Sequence, residues 1–295
     1  MHIFFIRHPR RQCAPHRMRA AIKSLDSRPL WCSSKAPKRR TKRLQKIMSS
    51  ARPTTLVTFD VDGTLIRASG ADANKFHKDA FAHGFRHVYG IETTIDVISH
   101  HGSTDQLVTE SVLKFHGYDD GEIWSKMPEH VRAMSEYAVN CDADAAHGLE
   151  LLPGVLDLLQ KLKSRDDVVV CLVTGNLEPI GWAKMERLEI AEYFTPPRFG
   201  GFGSDHTDRG ELVRIAAERC MVNFPNADLG DRRFHFGDTP NDVKAAEVAG
   251  ATAIGLLTGI FSRRELAESS RLESPIIFDD LSRTDDVLKA IGLAA

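Results

Sequence analysis

The run Val168-Val169-Val170-Cys171-Leu172-Val173 is apolar at every position and leads directly into Thr174-Gly175-Asn176. A strand with one wet face alternates apolar and polar side chains. An unbroken apolar run therefore reads as a strand buried on both faces, which is how strands of a parallel sheet covered by helices look in sequence. Leu56-Val57-Thr58-Phe59 is a second such run and ends in Asp60-Val61-Asp62-Gly63-Thr64-Leu65. Arg233-Phe234-His235-Phe236 is a third strand candidate and ends in Gly237-Asp238-Thr239-Pro240-Asn241-Asp242. Helical spacing follows the first and third of these runs, over Glu178 to Glu189 and Val243 to Ala249. The class is α/β, with a Rossmann-like parallel sheet. In open sheets of this kind ligands bind outside the carboxyl ends of the strands, so the three polar loops converge on one cleft.

Asp60 and Asp62 sit one residue apart at a strand end. On a continuing strand they point to opposite faces, so the backbone has to leave strand geometry for both to serve one ligand, and Gly63 permits that bend. Alone, an aspartate before Gly-Thr also suits a turn or a helix cap. A buried acid pair repels itself unless a cation intervenes, and Mg²⁺ is held by one or two carboxylates together with phosphate oxygens. Such a pair permits in-line attack on phosphorus by Asp60, with Asp62 protonating the leaving oxygen and later activating water. Thr174 and the amides of Gly175 and Asn176 precede a helix and suit an anion, although a Thr-Gly-Asn turn in isolation is equally an ordinary cap. Asp238 lies on the third loop and Asp242 at the start of the following helix.

In this order, DVDGTL, LVTGN and GDTPND resemble motifs one, two and four of the haloacid dehalogenase (HAD) superfamily of phosphohydrolases, from about residue 54 onward. The resemblance implies Asp60 as nucleophile and Asp62 as general acid/base, with Thr174 and Gly175 holding the phosphoryl group. It also implies an Mg²⁺ site made by Asp60, Asp238 and the Asp62 backbone carbonyl, with Asp242 orienting a metal-bound water. The superfamily further uses a cation, usually lysine, between motifs two and four. No Lys-Pro signature is present, and Arg209, in Ser204-Asp205-His206-Thr207-Asp208-Arg209-Gly210-Glu211-Leu212 ahead of a helix from Leu212 to Cys220, is preferred over Lys184 or Arg214.

About a hundred residues separate the first two motifs, more than a crossover needs. Helical spacing over Lys75 to Phe85, Asp105 to His116 and Gly121 to Ala138 predicts a small inserted helical cap. It resembles the C1-type cap of the superfamily, and His101-Gly102-Ser103-Thr104-Asp105 resembles the Gly-x-Thr-Asp turn of phosphoglycolate-phosphatase-like members. Leu152-Pro153-Gly154-Val155 resembles the return to the core. The organisation expected is a leader over 1–53, a core over 54–70 and 151–295, and a cap over 71–150. Lys75, His77 and Lys78 read as a solvated helix face and receive no role.

The net charge of −1 conceals an asymmetry: residues 1–53 hold 15 Lys and Arg against one acid, and the rest hold 24 against 39. An arginine-rich, acid-poor leader suggests mitochondrial or plastid transit, whereas a start at Met48 suggests a cytoplasmic protein. As a nucleic-acid arm it lacks interleaved aromatics or a recognition fold, so no specific nucleic-acid partner is expected, and no apolar run reaches membrane-spanning length. Five cysteines without paired spacing argue for a reducing compartment and against a zinc site. The reading is an Mg²⁺-dependent phosphatase for a small phosphorylated metabolite, phosphoglycolate-like. A sugar phosphomutase or a catalytically silent HAD-fold binding protein is the alternative, and oligomeric state is not read.

Overall fold

The computed structural model describes residues 51–70, 72–141 and 145–294; the rest of the leader, with its transit and nucleic-acid readings, lies outside them. Ten strands occur among the described residues. They are β1 (Arg52–Pro53), β2 (Thr55–Phe59), β3 (Ile66–Ala68), β4 (Leu149–Leu151), β5 (Val168–Thr174), β6 (Gly200–Phe202), β7 (Ala227–Asp228), β8 (Arg233–Gly237), β9 (Thr252–Leu256) and β10 (Ile276–Phe278). Six form one sheet in the order β10-β9-β8-β2-β5-β6, and every pairing in it is parallel. β1 pairs with β7, so regular pairing begins within the last residues assigned above to the leader.

The unbroken apolar run of β5 is explained by what covers it. Val168, Val170 and Leu172 pack on one side with Leu158, Leu159 and Leu162 of the Val155–Lys163 helix. Val169, Cys171 and Val173 pack on the other with Leu212, Val213, Ala216 and Cys220 of the Arg209–Asn223 helix. Successive strand side chains point to opposite faces, so burial on both sides leaves no position for a polar residue.

β2 lies between β5 and β8, and their register sets the site. Phe59 is level with Leu172 on one side and Phe236 on the other, with the Phe59 and Phe236 rings stacked 4.7 Å apart. Asp60, Thr174 and Asp238 follow within two residues of that level. The ladder continues one step further, because the Asp60 amide donates to the Phe236 carbonyl at 2.9 Å, and the nucleophile candidate is held by the sheet itself.

The chain between β3 and β4 is helical, with helices at Lys75–Gly84, Asp105–Phe115 and Asp120–Asn140. The antiparallel β3–β4 pair closes its base. Its interior is an apolar cluster of its own, including Phe76, Phe81, Phe85, Val112, Ile123 and Met134, joined by Leu177 and Ile180 from beyond β5. The first helix runs on through a π-helical segment, Phe85–Tyr89, and stops at Gly90 with φ of 69°. No helix among the described residues is long and apolar enough to cross a membrane.

Candidate active site

The turn after β2 separates the two aspartates. The amides of Thr64, Leu65 and Ile66 all donate to the Val61 carbonyl, at 3.3, 2.9 and 3.1 Å. The chain thus folds tightly around one oxygen, and Asp62 leaves the direction of the strand. Gly63, at φ 88°, has Asp238 so close that a Cβ would lie 2.3 Å from its Oδ2, so both conformation and space demand glycine there. Asp60 faces β8 and Asp62 faces β5.

On the β8 side, Asp60, Asp238 and Asp242 are buried and bring one carboxylate oxygen each within 4.8 Å of the others. The Asp242 carboxylate closes a capping box with Thr239, accepting from the Thr239 amide at 3.0 Å and hydroxyl at 2.6 Å. The Thr64 hydroxyl donates to Asp238 at 3.4 Å. Arg209 bridges the group, reaching Asp60 Oδ1 at 3.1 Å and making a short contact with Asp242 Oδ1. Asp208 caps the helix that starts at Arg209, accepting from the Gly210 amide at 2.7 Å, and so aims the guanidinium inward. Arg209 Nε is buried without a hydrogen-bond partner among the described residues.

His235, directly below, is oriented by Thr58. The Thr58 hydroxyl spends its proton on the Phe234 carbonyl, so at 3.0 Å from His235 Nδ1 it accepts. Its Nε2 then lies 3.5 Å from Asp242 Oδ1.

Three carboxylates against one guanidinium leave an excess of negative charge. Burial, partly offset by Arg209 and reinforced by Asp242 and Asp62, raises Asp60 to about 6. Burial together with Asp242 and Asp60 raises Asp238 to about 8. For Asp242, burial raises the carboxyl, but Arg209, His235 and Thr239 outweigh it and hold the group well below the usual range. Two acids that resist ionising, beside hard oxygen donors and an arginine already shared, fit a divalent cation such as Mg²⁺.

On the β5 side the charges balance. Lys184, 0% exposed on the Glu178–Arg187 helix, places its ammonium 2.9 and 2.8 Å from the two oxygens of Asp62. Asn176 Nδ2 donates to Asp62 at 2.9 Å and to the Thr174 hydroxyl at 3.0 Å. Burial raises the Asp62 carboxyl, but Lys184, His77 and Asn176 together outweigh it and lower the group below the ordinary range. Thr174 accepts from both the amide and the side chain of Asn176, and keeps its own proton to donate. At Gly175 a Cβ would come within 2.5 Å of the Ser103 carbonyl and 3.0 Å of Arg209 Nη1, so glycine lets the insert and the arginine meet the loop.

The structure brings Asp60, Asp62, Thr174, Gly175, Asn176, Arg209, Asp238 and Asp242 to one place. Asp62 departs from the acidic group: its side chain belongs to Lys184, which leaves only its backbone for a shared metal. Arg209 stands between Asp60 and Asp242, while Lys184, ranked behind it from sequence, is a second buried cation with its own partner. Arg214 pairs with Glu211 at the surface and is not part of the site. Lys75 and Lys78 make exposed pairs with Asp79 and Asp96. The solvated-face reading fails for His77, which is 5% exposed and lies 3.3 Å from Lys184. A local signal was present, since Lys184 follows Ile180 and His77 precedes Phe81 by four residues on buried helix faces, where a charge is out of place without a partner.

The family described as haloacid dehalogenase-like hydrolase matches residues 54–250. Phosphoglycolate phosphatase of Salmonella typhi is 26% identical over 249 residues, covering 80% of this chain and 92% of that protein. Phosphoglycolate phosphatase of Salmonella choleraesuis (strain SC-B67) is 29% identical over 149 residues, 50% of this chain, and there the chain spans about half of the relative's length, 54%. A hydrolase from Pseudomonas syringae shares the fold, with a TM-score of 0.53 at 21% identity over 82% of this chain and 100% of that one.

Proposed function

The chain belongs to the haloacid dehalogenase-like hydrolase family, and on that premise we propose that it hydrolyses a small phosphate monoester through an aspartyl phosphate on Asp60. The observation that carries this reading is the division of the Asp60–Asp62 pair, with one acid among carboxylates beside Arg209 and the other on Lys184.

An Asp60 oxygen attacks phosphorus while the bond to the leaving oxygen breaks and takes its electron pair. Asp62 delivers a proton to that oxygen. Ionised beside Lys184 in the free protein, it takes that proton from solvent as the negative charge of an arriving phosphate raises its proton affinity. In the second half Asp62 takes a proton from water, whose oxygen attacks phosphorus and frees the Asp60 carboxylate. Thr174, the Gly175 amide and Arg209 hold the phosphoryl oxygens, and phosphoryl transfer depends mainly on such positioning and charge neutralisation. Asp60, Asp238 and the Asp62 carbonyl would hold Mg²⁺, with Asp242 orienting a water, and the ion would neutralise charge between nucleophile and phosphate. The helical insert beside the site favours small substrates. Relatives named phosphoglycolate phosphatase support a phosphoglycolate-like ester as the first to try.

The test is phosphate release from a panel of small esters including 2-phosphoglycolate, with and without Mg²⁺, by the chain and by Asp60→Asn. Release that needs Mg²⁺ and falls on the order of 10³- to 10⁶-fold in the variant supports the reading. Release untouched by Asp60→Asn removes Asp60 as nucleophile, and no release from any ester points to a mutase or a binding protein.

A further inference from the structure

The Lys184 ammonium has three protons and meets three acceptor groups. These are the Asp62 carboxylate, Asn176 Oδ1 at 2.8 Å and His77 Nδ1 at 3.3 Å. An ammonium cannot accept a hydrogen bond, so the His77 contact exists only while Nδ1 carries a lone pair. That decides the tautomer. The ring proton is on Nε2, and Nε2 lies 3.1 Å from Asp105 Oδ2.

Asp105 is itself fixed from the core. The Leu177 amide donates to the same Oδ2 at 2.8 Å, and the Asp105 amide donates to the Gly175 carbonyl at 2.8 Å. His77 is stacked on Phe81 with ring centres 5.0 Å apart, and His77, Asp105 and Lys184 are all buried. The chain of bonds runs from Asp105 through His77 and Lys184 to Asp62, and its first two members come from the insert.

We propose that His77 and Asp105 are positioning residues that hold the Lys184 ammonium on Asp62, so that the insert completes the proton-handling half of the site. Asp105 orients the imidazole, the imidazole accepts a hydrogen bond from the ammonium, and the three acceptor groups together hold Lys184 where it meets Asp62. Neither residue touches substrate. The effect on turnover rests on the role proposed above for Asp62, whereas the ring orientation stands apart from it.

Two readouts keep them distinct. Long-range ¹H–¹⁵N correlation of ¹⁵N-histidine-labelled full-length protein at mildly alkaline pH, with His77 assigned by its loss in His77→Phe, is expected to show Nε2 protonated and Nδ1 bare. In Asp105→Asn the Leu177 amide, which donates to the same oxygen as Nε2, holds the amide oxygen in place, so the tautomer should be kept while Nε2–H loses its charged acceptor. On whichever ester the chain hydrolyses, His77→Phe and Asp105→Asn should lower kcat by about tenfold to a hundredfold with KM within about twofold, a supporting-residue effect. His77→Asn, whose amide oxygen takes the place of Nδ1, should recover most of it.

Protonated Nδ1 in the unsubstituted protein overturns the proposal without any variant. So does unchanged kcat in His77→Phe when Asp60→Asn is inactive. If no ester is turned over, the phosphatase reading fails alone, and the ring-nitrogen spectrum still decides whether His77 is set as an acceptor for Lys184.

Discussion

Asp60 and Asp62 are separated by a single residue in the chain and live in opposite electrostatic settings. Around Asp60 the fold gathers Asp238 and Asp242 and supplies Arg209, which leaves charge for a cation to neutralise. Around Asp62 it supplies Lys184 and surrounds the pair with His77 and Asn176, which leaves little charge to neutralise. In the proposed reaction the same residue type is thus directed to nucleophile or proton carrier by its neighbours, and the tight turn around the Val61 carbonyl keeps the settings apart.

The sharpest way to break that contrast is to remove one cation at a time. Lys184→Met should lower turnover by about 10²- to 10⁴-fold, the usual range of an acid/base contribution, and leave Mg²⁺ affinity unchanged in a titration. Arg209→Ala should lower turnover by about 10²- to 10³-fold, yet bind Mg²⁺ more tightly because three carboxylates lose their guanidinium. Equal effects of both variants on Mg²⁺ affinity would merge the two halves into one site.

Metal removal probes the acidic half by itself. Asp60 and Asp238, raised to about 6 and about 8, favour the protonated form in the folded state. Their contribution is therefore whole below the ordinary carboxylate range and is lost as pH rises through those two values. The melting temperature of the metal-free protein should fall as pH rises from the ordinary carboxylate value of 3.8 to about 8, and Asp238→Asn should remove the upper part of that fall. At a hundredfold excess over its Kd, Mg²⁺ should add about 2.7 kcal/mol, or roughly 5–10 °C, and flatten the slope.

His130, in the insert, gives the opposite limb and so a control. Burial pushes it from 6.5 down to about 4, and neither ring nitrogen has a hydrogen-bond partner among the described residues. Its contribution is present above the ordinary imidazole value and lost as pH falls through about 4. His130→Leu should flatten that limb, worth roughly 3 kcal/mol, without moving the one set by Asp60 and Asp238. Smallest of all, Arg214→Ala should change neither turnover nor metal affinity, since its ion pair with Glu211 is exposed.

The half built on strands could be read from sequence, and the half built on helices much less so. β2, β5 and β8 are unbroken or nearly unbroken apolar runs that end in polar loops, and parallel register alone brings Asp60, Thr174 and Asp238 together. Arg209 was found within a polar run, but the helix it opens begins three residues before Leu212, because the Asp208 cap and a polar first turn hide the start. Lys184, His77 and Asp105 could not be joined from spacing. They lie on three separate helices, 28 and 79 residues apart in the chain, and only tertiary packing makes them neighbours. Each carries the weak local sign of a polar residue on a buried face, which says that a partner exists without saying which.

The insert meets the core in several places, and two of them lie on the backbone connections themselves. One is the β3–β4 neck. The other is the turn at 102–106, where Gln106 Nε2 donates to the Gly203 carbonyl at 2.6 Å, Asn241 Nδ2 donates to the Gly102 carbonyl at 3.0 Å, and the Asp105 amide donates to Gly175. Asp105 therefore serves two structures at once: its amide fastens the insert to the loop after β5 through the Gly175 carbonyl, and its carboxylate faces His77, so the position of the insert and the orientation of that ring are set by one residue.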